Sequence, residues 1–141
     1  MPMLVPLRSQ SPVSALADAF PALARPRAMP LGTPLDLVHL ARQSLGDKGR
    51  EMELLGHFDH QASLAGPRLR ALAGDDKARA MVKMLGATAR TAGAFGVAAA
   101  CDAYAATLAG GVDERDASIA LDILEEEIVI ARTAISDLFG R

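Results

Sequence analysis

The sequence predicts an all-α protein, an antiparallel up-down four-helix bundle with a short N-terminal capping helix. Half of the residues are apolar, yet aromatics make up only 4% and tryptophan is absent. The core must therefore be assembled from Ala, Leu, Ile, Val and Met, the composition of closely packed helices. From residue 34 onward apolar positions recur every three or four residues, the helical period, and no stretch shows the alternation of a strand. Short breaks at Gly46-Asp47, Gly74-Asp75, Gly93 and Gly110-Gly111 divide that pattern, and connections this short join antiparallel neighbours.

Residues 1–33 form a Pro-rich leader, with prolines at positions 2, 6, 12, 21, 26 and 30. That density forbids a continuous helix, so an extended or loosely packed tail is expected. Its apolar residues Leu4, Val5, Leu7, Leu16, Phe20 and Leu23 have the means to lie along the bundle, and residues 13–20 can form one short helix. The helical domain, residues 34–141, opens with Thr33 as a cap and Pro34 at the first helical position. Leu35, Val38 and Leu45 give the capping helix its apolar side.

Asp47 caps a longer helix in which Leu54, Phe58, Ala62, Ala65, Leu69 and Leu72 repeat along one face. Gly66 and Pro67 interrupt it and are expected to bend it. A third helix opens at Asp75-Asp76, whose carboxylates suit its positive end, and stops at Gly93 through that residue's tolerance of positive φ. The fourth carries Val97, Cys101, Tyr104 and Leu108 inward. In the last, Ala117, Leu121, Leu124, Ile128, Ala131, Ile135 and Leu138 form the seam, with Glu125-Glu126-Glu127 read as a solvated face.

At 141 residues the chain is sized for one domain with a tail. A net charge of −2 and a pI near 5.9 supply no overall basic field for nucleic acid. Cys101 is the only cysteine, so neither an intrachain disulfide nor a cysteine-built zinc site can form. No apolar run reaches the ~18 residues that span a bilayer, and the leader lacks the pattern of a signal peptide. A cytoplasmic protein without membrane contact, monomeric or weakly dimeric, is expected. No glycine-rich phosphate loop, spaced acid pair or Ser/His/Asp arrangement is present, and no cofactor is expected. A metal site is not expected either, because Asp59 points elsewhere on the helix from His57 and His60, which leaves the two histidines without an evident third ligand.

The most informative stretch is Met81-Val-Lys-Met-Leu-Gly-Ala-Thr-Ala-Arg-Thr-Ala-Gly-Ala-Phe95. On a helix, Met81, Leu85, Thr88 and Ala92 share one side, and Lys83, Ala87 and Arg90 another, with Gly86 at the border. This basic but thin stripe resembles the signature of histidine phosphotransfer (Hpt) domains, His-x-Leu-Lys-Gly-Ser-Ala-Arg-x-x-Gly-Ala. Leu85 takes the place of the motif leucine, Gly86 of the lysine, Ala87 of the glycine, Thr88 of the serine, Ala89 and Arg90 of the Ala-Arg pair, and Gly93-Ala94 of the closing pair. Lys83 stands where the phosphorylated histidine would be. The segments Pro34–Asp47 and Glu51–Gln61 also resemble the first two helices of the single-domain Hpt proteins of alphaproteobacteria, so the likeness covers residues from about Leu35 to Leu138.

The resemblance implies two-component phosphorelay signalling, with a response-regulator receiver domain or a hybrid histidine kinase as partner. A neutral imidazole attacks phosphorus through a free ring nitrogen, whereas a lysine with a reference pKa of ~10.4 stays protonated at neutral pH. The expectation is a non-enzymatic module that binds such a partner without carrying phosphate at the usual site. Lys83 would act as a charge surrogate in the partner's acidic pocket, flanked by Arg79 and Arg90, with Gly86 and Ala87 permitting close approach. His57, Gln61 and Leu64 would supply an apolar shoulder. Three alternatives stay open: phosphoryl transfer on His57 or His60, a helical scaffold or dimerisation unit, and a basic stripe that only keeps a helix solvated.

Overall fold

The computed structural model describes residues 33–72, 74–110 and 113–140, so the expectations for the leader lie outside the described residues. Among the described residues there are five helices: α1 (Leu37–Gln43), α2 (Lys48–Leu72), α3 (Asp76–Ala92), α4 (Phe95–Leu108) and α5 (Glu114–Leu138). No strand occurs among the described residues. The four long helices pack in ring order, α2 against α3, α3 against α4, α4 against α5 and α5 back against α2, while α1 lies over α2 and α3.

Three of the four long helices open on an aspartate, which accepts hydrogen bonds from otherwise orphaned amides. The Asp47 carboxylate accepts from the Arg50 N–H at 3.1 Å, Asp75 from Lys77 at 2.8 Å, and Asp113 from Asp116 at 2.9 Å. The opening of α1 departs from expectation. Its cap is Asp36, which accepts from the His39 amide at 2.9 Å, while the Thr33 hydroxyl donates to the Leu35 carbonyl instead. The inward residues are then Leu35 and Leu40, and the expected Val38 and Leu45 are exposed. Leu45 sits in the turn that closes α1, at φ 56°.

Gly66 and Pro67 lie inside a continuous α2 rather than interrupting it. Gly66 faces α5, where a β-carbon would come within 3.1 Å of the Glu125 carboxylate. Nearby, Arg70 of α2 donates to both oxygens of Glu125 and pairs with Asp122, and one end of the Glu125–Glu127 run is thereby tied to α2 rather than simply solvated. Arg132 likewise donates to Asp59 at 2.9 Å, joining α5 to α2 a second time.

Large apolar side chains and alanines share the core. Leu55, Phe58 and Leu69 of α2 meet Val82 and Leu85 of α3, Val97 and Cys101 of α4, and Leu121, Leu124, Ile128 and Ile135 of α5. Leu55 replaces the expected Leu54 as the first buried residue of α2. At the end of α5, Leu138 is exposed and Phe139 packs against the core in its place. Residue 139 is four positions beyond Ile135 and stays nearer the inward stripe than residue 138, which is three.

Candidate functional site

The surface of α3 is built from its capping and periodicity. Ala78, Val82, Leu85, Ala89 and Ala92 face inward, which turns Lys83, Met84 and Ala87 to solvent. Lys83 has no ion-pair partner among the described residues, so its ammonium is available at the middle of the helix. Ala87, one turn on, adds only a methyl to that face. The hydroxyls of Thr88 and Thr91 donate back to the carbonyls of Met84 and Ala87 at 3.0 and 3.2 Å, which hides their polarity in the helix itself.

The other predicted stripe residues divide by what they touch. Arg90 reaches across to α4 and donates to Asp102 at 2.5 Å, and this carboxylate holds its guanidinium protonated beyond the ordinary arginine range. Arg79 donates to the Leu108 carbonyl at 2.7 Å, at the C-terminal end of α4. Both are exposed, yet both are engaged, so Lys83 is the member of the trio left without a partner among the described residues. Gly86 is misplaced by the sequence reading. It is buried in the α3–α4 seam, where a β-carbon would lie 3.3 Å from Cβ of Cys101, and it presents no surface to a partner. The helix turn that exposes Lys83 and Ala87 carries residue 86 toward α4.

On the opposite flank of Lys83 a groove of ≈ 350 Å³ runs between α2 and α3. His60, Gln61 and Leu64 form one wall and Met81, Met84 and Leu85 the other, with Arg68 and Lys77 also lining it. Gln61 and Leu64 are thus brought to the face predicted for them. His57 is exposed one turn before His60–Gln61 and does not line the groove. Oε1 of Gln61 is itself buried from solvent and has no hydrogen-bond donor among the described residues. A buried amide oxygen without a donor costs about 1–3 kcal/mol.

Sequence reasoning missed this concavity. Its signal was Met84, an exposed thioether one position beyond Lys83 and three beyond Met81, too far around the helix for the core stripe. His39 is remote from the groove, stacked edge-on against Phe95 with ring centroids 4.9 Å apart. Among the described residues no three His, Cys, Asp or Glu side chains are arranged to hold a metal ion. No helix of the described residues is long and apolar enough to cross a membrane.

Burial pushes the thiol of Cys101 up to about 12, with Asp102 adding to the effect. Such a group is almost wholly protonated at neutral pH and unreactive. The expected result is that a thiol reagent at pH 8 modifies Cys101 only at the rate of unfolding, and at once in denaturant. Raising the pH through the ordinary thiol range, near 9, should lower stability, because the unfolded chain loses this proton before the folded one does.

No family model matches this chain, and no curated protein or solved structure matches it either.

Proposed function

We propose that this chain is an Hpt-like module of two-component signalling that binds a response-regulator receiver domain or a hybrid histidine kinase without carrying phosphate at the usual site. The observation that carries this reading is Lys83: a solvent-facing ammonium halfway along α3 with no ion-pair partner among the described residues, at the motif position of the phospho-accepting histidine. The ring order of the long helices and their short connections support the antiparallel up-down bundle with α1 as its cap. A cytoplasmic location accords with that role.

In this reading the ammonium enters the partner's acidic cluster and forms a charge-assisted contact there. The bare methyl of Ala87 admits the partner's loops, and the apolar edge at Leu64 and Met84 supplies contact area beside it. No phosphoryl group moves, because a protonated amine has no lone pair to offer phosphorus. Arg79 and Arg90, held by Leu108 and Asp102, contribute positive potential rather than direct grip.

A second reading has one observation in its favour: His60 lies on the wall of a groove also lined by Arg68 and Lys77, cations able to steady phosphoryl oxygens. In that case a ring nitrogen of His60 would attack the aspartyl phosphate and the receiver's carboxylate would leave. Binding measurements with Lys83→Glu separate the two. The decoy reading expects affinity for a receiver to fall by about ten-fold or more, the equivalent of about 1.4 kcal/mol. Unchanged affinity would remove Lys83 from the interface.

A further inference from the structure

The groove between α2 and α3 is lined by carbon along its length and by cations at one end. Ala65 and Leu85, both buried, form its floor, with Leu64, Met81 and Met84 at its sides. Only residues 73–75 separate the two helices, which brings Arg68, near the end of α2, beside Lys77, in the first turn of α3. Both cations are exposed, neither has an ion-pair partner among the described residues, and no acidic side chain lines the groove. We propose that the groove binds a medium-chain fatty acid as its carboxylate, the head held by Arg68 and Lys77 and the tail laid along Leu64, Met81 and Met84.

Each part of that ligand answers a feature of the site. A guanidinium presents parallel N–H donors that match the two oxygens of a carboxylate, and the lysine adds a second positive charge. Methionine side chains are unbranched and flexible, so Met81 and Met84 can mould themselves around an alkyl chain. From Lys77 to Met84 helix α3 rises about 10 Å, the reach of a medium-length tail. The volume of ≈ 350 Å³ lies at the lower end of the range of about 300–1,000 Å³ common to small-molecule sites.

Other occupants fit less well. A folded protein needs roughly 800 Å² of contact on its own side, far more than about two helical turns of groove supply. A symmetric pairing with a second copy would bring Arg68, Lys77 and Lys83 of two molecules together. A neutral or cationic amphiphile would leave Arg68 and Lys77 without a counter-charge.

The bound tail would cover Leu64 and Met84, so it would compete with a partner binding beside Lys83; this consequence rests on the proposed function, whereas the binding itself does not.

The test titrates the full chain, isotope-labelled at its methionine and valine methyls, with sodium decanoate below its micelle concentration. Saturable shifts of the Met81 and Met84 methyl signals are expected, with a dissociation constant of about a millimolar or lower, while Val129 on the exposed face of α5 stays unmoved. Octanoate, two methylenes shorter, should bind about five- to ten-fold more weakly. Decyltrimethylammonium should bind about ten-fold more weakly than decanoate, and the double variant Arg68→Glu, Lys77→Glu should reverse that preference. No saturable shift, equal shifts at Val129, equal affinity for the two head groups, or a double variant that keeps the native preference would overturn the proposal. So would shifts caused by phosphatidylglycerol vesicles or an acidic amphipathic peptide but not by decanoate, which would make a lipid surface or a protein helix the occupant. Met81 and Met84 signals that move with protein concentration alone and ignore decanoate would overturn it in favour of a second copy.

Discussion

Replacing Gly93 by alanine is expected to destabilise the protein by about 3 kcal/mol, lowering the thermal midpoint by roughly 10 °C. Two penalties add at this residue. Its φ of 84° lies in the left-handed region, where an L side chain costs about 1–2 kcal/mol. A β-carbon there would also sit 2.7 Å from the backbone carbonyl oxygen of Asp36, an atom that cannot swing aside. Relief requires α1 to lift away, which strains the bond from the Asp36 amide to the Gly93 carbonyl and loosens the cap over Leu35 and Leu40. Thermal unfolding followed by circular dichroism checks this. Gly110, at φ 108° with nothing near its missing β-carbon, is the control for conformation alone, and Gly110→Ala should cost less.

Gly86→Lys, the change that would give this position the lysine of the signature the segment resembles, should destabilise by about 3 kcal/mol. The first carbon of that side chain already meets Cβ of Cys101 at 3.3 Å, and an ammonium beyond it would emerge close to Arg90, whose Nη1 lies 3.6 Å from the same β-carbon position. Overpacking and like-charge repulsion therefore act together. Gly86→Ala separates them: it adds helix propensity of about 1 kcal/mol, offset by one tight contact, and should leave stability nearly unchanged. Urea denaturation of the two variants gives the comparison. A well-tolerated lysine at 86 would mean that the α3–α4 seam is more open than Cys101 and Gly86 make it.

These two glycines mark what was legible in the sequence. Gly93 is readable as a helix stop because its backbone demand is local, and the same locality made Asp47 recognisable as a cap and Asp75-Asp76 as a helix opening. Periodicity likewise exposed Lys83 and buried Leu85. Gly86 was placed on the docking face because a helical wheel shows a border position but not which neighbour lies beyond it. The groove, the orphaned Gln61 oxygen and the ties of Arg79 to Leu108 and Arg90 to Asp102 all depend on how two helices meet, and no spacing within one helix encodes that. Asp36 won the cap of α1 from Thr33 for a similar reason, since Gly93 on α3 fixes where the chain turns in.

Incubation of the full chain with phosphorylated receiver domains of its own genome, following both binding and label, tests the central claim most directly. The account predicts a complex with at least one receiver, weakened by Lys83→Glu, and no acid-labile phosphate on this chain. Stoichiometric transfer of label to the chain, abolished by His60→Gln and indifferent to Lys83, would contradict it.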